Sequence, residues 1–198
     1  LDASILRTFL APRKTLFGYG AVDKVSEEAK LLGGQHVLIV TDSTVEKIGL
    51  VDNVRKPLLD SGFEIDTWNG VEPEPTLRVA DVLTGVARTK EYDLVVGVGG
   101  GSSLDMAKVA ALMNKNPGEL ANYLSGSQIQ RRGLPLIAIP TTSGTGSEAT
   151  ATLVVTHQNM KMGLTHPYGM PDIAIVDPEL TISLPPKVTA NTGLDALS

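Results

Sequence analysis

Apolar and polar positions along the chain follow two periods in turn, one typical of strands and the other of helices. Short runs that are apolar throughout, or at every second position, predict strands, and apolar residues spaced every three or four positions predict helices. The predicted strands are residues 37–40, 63–68, 94–98, 134–139 and 173–176, and the predicted helices are residues 20–32, 45–59 with a break near Gly49, 76–89 and 102–113. Strands that alternate with helices predict an α/β fold with a parallel sheet flanked by helices on both faces.

Two pairs of short strands fall outside this alternation. At the amino-terminal end, Ile5–Phe9 and Thr15–Phe17 predict a β-ribbon at the edge of the sheet. Further along, Thr150–His157 and Lys161–Thr165 predict a hairpin that turns at Gln158-Asn159.

The pair Pro185-Pro186 marks a boundary near the end of the chain, and the residues after it resume helical spacing. We therefore predict one α/β domain over residues 1–185 and the start of a second, all-helical domain over residues 186–198. The chain begins at Leu1 and stops within a helical pattern at Ser198, so we expect it to be a fragment.

A glycine run follows the predicted strand at the centre of the chain. Gly99, Gly100 and Gly101 have no Cβ, so the backbone can turn tightly and approach a ligand closely. Ser102 and Ser103 come next, and Ser102 suits the N-cap of the following helix. A helix start after such a turn points free N–H groups at one spot, which suits a phosphate. The alternative is a tight turn that binds nothing, since Ser102 stands where the dinucleotide fingerprint has its third glycine.

Two other loops follow predicted strands at the same edge of the sheet, where open α/β sheets bind ligands. Residues 140–148, Pro-Thr-Thr-Ser-Gly-Thr-Gly-Ser-Glu, place hydroxyl donors between glycines, as a phosphate or ribose site requires. The alternative is a turn whose hydroxyls bond its own backbone. Asp42 follows the strand at 37–40, where a carboxylate would accept hydrogen bonds from a ribose and repel a 2′-phosphate. The alternative for Asp42 is the N-cap of the next helix.

Composition narrows the classes of function. Of 198 residues, 42% are hydrophobic and 20% are charged, which is typical of a soluble globular protein. The net charge of −5 argues against a nucleic-acid surface or an anionic membrane surface. The absence of cysteine excludes disulfides and thiolate metal sites and fits a reducing compartment, so we expect a cytoplasmic protein. No apolar run approaches the length of a membrane span, and residues 1–10 lack the pattern of a signal peptide.

Three motifs resemble, in sequence and in order, those of the iron-containing (group III) alcohol dehydrogenase family. They are Gly-Gly-Gly-Ser-Ser-Leu-Asp-Met-Ala-Lys at 99–108, Ile-Pro-Thr-Thr-Ser-Gly-Thr-Gly-Ser-Glu at 139–148 and Thr-Gly-Leu-Asp-Ala-Leu-Ser at 192–198. Residues 70–76, 161–163 and 171–178 also fit the family pattern, so the resemblance covers essentially the whole chain. It implies a Rossmann-like nucleotide-binding domain, followed by a helical domain that completes a divalent-metal site between the two.

The resemblance also implies roles for particular residues. Those implied to contact the cofactor are Asp42, Gly99, Gly100, Gly101, Ser102, Ser103, Thr141, Thr142, Thr145, Lys161 and Leu180. Among them, the residues from Gly99 to Ser103 would hold the pyrophosphate, and Asp42 would select NAD over NADP. The threonines would line the path from the adenine to the nicotinamide. Asp195 would be the first ligand of Fe²⁺ or Zn²⁺.

Two positions depart from the family pattern. The chain stops at Ser198, one residue before the histidine that the family places four positions after Asp195. The histidines that are present are predicted to have structural roles. Glu74 replaces the asparagine of a Pro-Asn-Pro motif that contacts the nicotinamide side of the cofactor.

The implied parent is a metal- and NAD(P)-dependent alcohol dehydrogenase or aldehyde reductase, which transfers hydride between a small alcohol or aldehyde and the nicotinamide. We expect it to form a homodimer or a higher homo-oligomer, and the fragment alone to lack dehydrogenase activity. Two alternatives remain open. Glycerol dehydrogenase and dehydroquinate synthase share the architecture and the glycine loop but differ in the second loop, and a nucleotide-binding module without catalysis is the other alternative.

Overall fold

The computed structural model describes residues 8–197, in which eight strands form one sheet of six and one of two. The strands are β1 Lys14–Phe17, β2 His36–Asp42, β3 Glu64–Val71, β4 Leu94–Gly99, β5 Leu136–Pro140, β6 Thr152–His157, β7 Met160–Thr165 and β8 Ile173–Val176. The α-helices are α1 Val25–Leu31, α2 Ser43–Lys47, α3 Asp52–Asp60, α4 Leu77–Thr89, α5 Gly101–Lys115, α6 Leu120–Leu124, α7 Glu179–Ile182 and α8 Pro186–Leu197. Single 3-10 turns lie at Ala21–Lys24, Ser147–Ala149 and Pro167–Gly169.

The six-stranded sheet is parallel throughout, in the order β1-β8-β5-β4-β2-β3. The chain passes from β2 to β3 on one side and returns to β4 on the other side of β2. The order of strands therefore reverses between β2 and β4, and this is the point at which open α/β sheets form a ligand crevice. Asp42 ends β2 and Gly99 ends β4, so both lie at this crevice.

Hydrophobic cores cover both faces of the sheet. Successive residues of β2 alternate between them, with Val37 and Ile39 in one core and Leu38 and Val40 in the other. The first core contains residues of α1, α3 and α7, and the second contains residues of α4, α5, α6 and the β6–β7 hairpin. This arrangement confirms the α/β fold with a parallel sheet flanked by helices.

Local signals in the sequence set several boundaries. Thr76 caps α4, because its side chain accepts a hydrogen bond from the backbone N–H of Val79. Gly49 has a φ of +81° between α2 and α3, which confirms the predicted break. At the hairpin turn Gln158 and Asn159 have φ angles of +49° and +61°, the left-handed conformation that a two-residue hairpin loop requires.

The predictions were incomplete at the amino-terminal edge and in two short helices. Residues 5–7 of the predicted ribbon lie outside the described residues, and Thr8 and Phe9 are not in a strand. β1 instead pairs in parallel with β8, as the edge strand of the main sheet. The helices α6 and α7 were not predicted, because each is only a turn or so long. α8 confirms the helix predicted after Pro185-Pro186, and no described helix is both long and apolar enough to cross a bilayer.

Candidate functional site

The glycine loop joins β4 to α5 at the crevice. Gly99 has a φ of +144°, and a Cβ added to it would lie 2.5 Å from the Oγ of Ser103, so a larger residue would clash there. The N-cap of α5 is Gly100 and its first residue is Gly101, so the prediction that Ser102 caps the helix was wrong. No side chain of the described residues caps α5, and its first N–H groups remain available to an anion, as predicted.

The second loop lies directly against the glycine loop. The N–H of Thr141 donates to the carbonyl of Gly99 over 3.0 Å. A Cβ on Gly101 would lie only 2.7 Å from the Cγ2 of Thr145. The hydroxyl of Thr141 is buried and has no hydrogen-bond partner among the described residues. Three features suit a dinucleotide: the close approach of Gly101 to Thr145, the start of α5 without a side-chain cap, and the hydroxyl of Thr141 without a partner among the described residues.

Thr142 and Asp42 border the same loop. A Cβ on Gly100 would lie 3.4 Å from the Cγ2 of Thr142. The Oδ1 of Asp42 caps α2, since it accepts hydrogen bonds from the N–H groups of Thr44 and Val45 over 2.8 and 3.0 Å. Its Oδ2 accepts a bond from the hydroxyl of Ser103 over 3.2 Å. The cap interpretation is therefore confirmed, and the second oxygen of the same carboxylate faces the glycine loop.

A cavity of about 430 Å³ opens between the start of α5, the second loop and the β6–β7 hairpin. Gly101, Ser102, Thr145 and Lys161 all line it, and they belong to three different segments of the predicted site. We call this cavity the cleft. A cavity of about 750 Å³ lies at the far end of α4 and α5, around Arg88, and none of the predicted site residues lines it.

An ion pair lies beside the opening of the cleft. The Nζ of Lys161 on β7 is 3.2 Å from the Oε1 of Glu74, and both side chains are about two-thirds exposed (68% and 69%). Glu74 has a φ of +51°, a conformation that glycine and asparagine adopt more readily than glutamate. The next residue fixes this segment to the hairpin, because the carbonyl of Pro75 accepts a hydrogen bond from the N–H of Thr156 on β6 over 2.8 Å.

A buried lysine lies behind the cleft, and the sequence analysis did not single it out. The side chain of Lys108 is 0% exposed. Its Nζ donates to the carbonyl of Thr152 over 2.6 Å, to the Oγ of Ser147 over 2.7 Å, and more weakly to Asp105 and Thr150 over 3.2 and 3.3 Å. Burial lowers the pKa of the Lys108 ammonium from its usual value, although the adjacent carboxylate of Asp105 acts in the opposite direction.

The other predicted site residues do not line the cleft: Asp42, Gly99, Gly100, Ser103, Thr141 and Thr142 lie at the carboxyl ends of β2, β4 and β5, and Leu180 and Asp195 lie on α7 and α8. Leu180 on α7 is buried in the core on the α1–α3 face and is not among the described residues that line the cleft. Asp195 lies on the exposed helix α8. Among residues 8–197 no three His, Cys, Asp or Glu side chains are grouped closely enough to hold a metal ion, so the described residues alone do not fit a metal site.

Comparison with known proteins agrees with the fold and with the glycine loop. The sequence profile of the family described as iron-containing alcohol dehydrogenase matches residues 12–178. Long-chain-alcohol dehydrogenase 1 of Geobacillus thermodenitrificans (strain NG80-2) is 48% identical over 184 residues, which cover 91% of this chain and 47% of that protein. The chain thus spans about half the length of the relatives that it matches.

Two solved structures share the fold over almost the whole chain. The crystal structure of a 1,3-propanediol oxidoreductase has a TM-score of 0.92 at 34% identity, covering 98% of this chain and 51% of that one. Sulfoacetaldehyde reductase from Bifidobacterium kashiwanohense, solved in complex with NAD⁺, has a TM-score of 0.90 at 32% identity, covering 98% and 52%. The profile match covers most of the chain and includes both loops of the crevice. The chain therefore belongs to the iron-containing alcohol dehydrogenase family.

Proposed function

We propose that this chain is the cofactor-binding part of an alcohol dehydrogenase or aldehyde reductase, and that it binds NAD at the crevice between β2 and β4. The observation that carries the proposal is the meeting of the two predicted loops, where Gly101 approaches Thr145 beside a helix start without a cap. The NAD⁺ complex of the sulfoacetaldehyde reductase, whose fold matches this chain, supports the same assignment. When bound, the nicotinamide supplies the hydride acceptor or donor of the reaction.

In this proposal the chain binds and orients the dinucleotide. The N–H groups at the start of α5 and the hydroxyl of Ser102 hold the pyrophosphate, because the unbonded amides carry partial positive charge. The hydroxyls of Thr141, Thr142 and Thr145 donate to the ribose and phosphate oxygens. The ammonium of Lys161 lies beside the cofactor at the opening of the cleft. Leu180, which is buried on α7, is proposed to lie against the cofactor.

Asp42 is proposed to make the site selective for NAD over NADP. Its Oδ2 lies at the glycine loop, 3.4 Å from the position that a Cβ on Gly99 would occupy. A 2′-phosphate at the adenosine ribose would bring a second negative charge close to this carboxylate. Two like charges about 4 Å apart at an effective dielectric constant of about 20 repel by about 4 kcal/mol, which is enough to exclude the phosphate.

The test is calorimetric titration with NAD⁺ and NADP⁺, for the wild type and for Asp42→Ser. Serine is also a good N-cap, so this variant removes the charge while it keeps the cap of α2 and the thermal stability. We expect the wild type to prefer NAD⁺ and the variant to gain affinity for NADP⁺ by at least about tenfold. A wild type that prefers NADP⁺ would refute the role of Asp42, and one that binds neither cofactor would refute the proposed function.

The remaining parts of the proposal concern the longer protein. We propose Asp195 as one ligand of a divalent metal, Fe²⁺ or Zn²⁺, in the longer protein, since residues 8–197 contain no group of three His, Cys, Asp or Glu side chains that could hold the ion alone. We also propose a cytoplasmic homodimer or higher homo-oligomer. The cysteine-free composition favours a reducing compartment, and the exposed side chains of Phe17, at the end of the edge strand β1, and of Tyr19 favour self-association. Analytical ultracentrifugation distinguishes an oligomer from a monomer.

A further inference from the structure

The hydrogen bonds around Lys108 fix the position of nearly every proton in the group. The hydroxyl of Ser147 donates to the Oδ1 of Asp105 over 2.6 Å, so it must use its lone pair to accept from Lys108. The Oδ2 of Asp105 accepts from the backbone N–H of Val154 over 3.0 Å. Both oxygens of Asp105 thus act as acceptors, and the Nζ of Lys108 is the cationic group beside them.

These bonds join three segments that are distant in the sequence. Lys108 and Asp105 belong to α5, Ser147 to the 3-10 turn that ends the second loop, and Val154 to β6. Asp105, Ser147 and Val154 all line the cleft, whereas Lys108 is fully buried behind them. Lys108 therefore cannot reach a ligand in the cleft, but every bond that it makes is to a group in the cleft wall or next to it.

We propose that Lys108 is a positioning residue of the cofactor cleft, which holds the wall formed by Ser147 and β6 against the first turns of α5. This inference rests on the proposed function, because it names what keeps the proposed NAD site in shape. The ligand meets the hydroxyl of Ser147 and the carboxylate of Asp105 already oriented, so it does not have to order them when it binds. Loss of the ammonium frees the wall and leaves the carboxylate without its counter-ion.

Two simpler roles predict different results. Lys108 could contribute only to folding, in which case any core substitution of equal cost on α5 would affect binding as much. It could also attract the phosphates of the cofactor by its charge alone, in which case its effect would be independent of Ser147. A comparison of variants separates these roles from positioning.

The experiment measures NADH affinity by fluorescence titration for the wild type, Lys108→Met, Ser147→Ala and the double variant. Leu112→Ala is the matched control, since Leu112 lies one turn further along α5 and is buried in the core away from the cleft. Amide hydrogen exchange at Val154 reports on the wall itself. Thermal unfolding confirms that each variant is folded, and Lys108→Gln repeats the comparison if the methionine variant does not fold.

We expect Lys108→Met to weaken NADH binding by about tenfold or more, since hydrogen bonds with a charged partner contribute that much each. The double variant with Ser147→Ala should weaken binding by less than the product of the two single effects, because both side chains hold the same wall. Exchange at the Val154 amide should become about tenfold faster in the methionine variant. The control should lose stability but bind NADH within about twofold of the wild type.

Results that differ from these expectations would each refute a different part of the proposal. Equal binding by the wild type and Lys108→Met would refute the positioning role and leave the NAD site intact. Effects of the two substitutions that multiply would assign the role to charge alone, and weakened binding in the control would assign it to folding. If the wild type does not bind NADH, the proposed function fails. If amide exchange at Val154 is the same in Lys108→Met as in the wild type, Lys108 does not hold β6 against α5.

Discussion

Gly97 provides a test of how closely α5 must approach the sheet. It lies in the fully buried strand β4, and a Cβ added to it would be 2.6 Å from the Cβ of Ala107 and 3.3 Å from the Cδ2 of Leu104. Carbon atoms in contact normally lie about 3.5–4.0 Å apart. A Cβ has no rotatable bond by which Ala107 could move away, so Gly97→Ala must push α5 from the sheet by about 1 Å.

The cost of this displacement follows from the packing of a dense core. Overpacking by one methyl group typically costs about 1–3 kcal/mol, and a cost of about 2 kcal/mol is expected because the nearest neighbour, the Cβ of Ala107, cannot rotate away. For a domain of this size that loss lowers the Tm by about 4–8 °C. The start of α5 moves with the helix, so NADH binding at the proposed site should weaken as well.

The matched control is the same substitution at Gly85. This glycine lies within α4, is exposed, and would place a new Cβ where no described atom lies within 4 Å. Gly85→Ala should therefore raise the free energy of unfolding by about 0.5–1 kcal/mol, through helix propensity and a less flexible unfolded chain. Urea unfolding of both variants is the assay. If both variants lose stability, or neither does, the contact with Ala107 is not what makes Gly97→Ala destabilising.

Two further predictions concern a strained residue and a buried phenol. Glu74→Asn should raise the free energy of unfolding by about 0.5 kcal/mol, because asparagine adopts a φ of +51° more readily. The control Glu74→Gln keeps the strained φ and loses the ion pair with Lys161, so it should not become more stable. Equal urea midpoints for the two variants would refute this reasoning. Tyr92→Phe should cost about 1 kcal/mol at pH 7, because the hydroxyl donates to Asp66. Burial and the Asp66 charge raise the pKa of Tyr92 to about 12, so between pH 10 and 12 the phenol proton is released mainly from the unfolded wild type. The stability of the wild type should therefore fall in this range, and the stability difference between the wild type and Tyr92→Phe should shrink. A difference that stays constant from pH 7 to pH 12 would contradict the raised pKa.

Hydrophobic spacing predicted most elements of the sheet because burial determines both the spacing and the fold. The strand predicted at 94–98 is β4, and the hairpin turns at Gln158-Asn159 as expected. The start of α5 was misplaced because Ser102 satisfies the local preference for a cap. The helix begins one residue earlier, at Gly101, which lies against Thr145 of the second loop, and a contact over that sequence distance is not visible in the local pattern.

The site itself was predicted in its loops but not in its buried support. The hydrogen bonds of Lys108 could not be predicted from the sequence, because its oxygen partners on Ser147 and β6 lie about forty residues away along the chain. One signal for its burial was available, since residues 109–113 are apolar and predict a helix that is covered on all sides. For Asp42 the two interpretations that the sequence left open use different oxygens of one carboxylate, so the structure accommodates both.

The helix after the predicted domain boundary is in direct contact with the proposed cofactor site. A Cβ on Gly144, in the second loop, would lie 2.6 Å from the carbonyl oxygen of Thr192 on α8. This contact is between main chains, so no flexible side chain can absorb a movement of either partner. Asp195 follows Thr192 by three residues and so lies on a similar face of α8, one turn further along. The loop that carries Thr145 thus touches the helix that carries the proposed metal ligand. The second loop of the proposed cofactor site and the helix of Asp195 are therefore in contact across the boundary predicted at Pro185-Pro186.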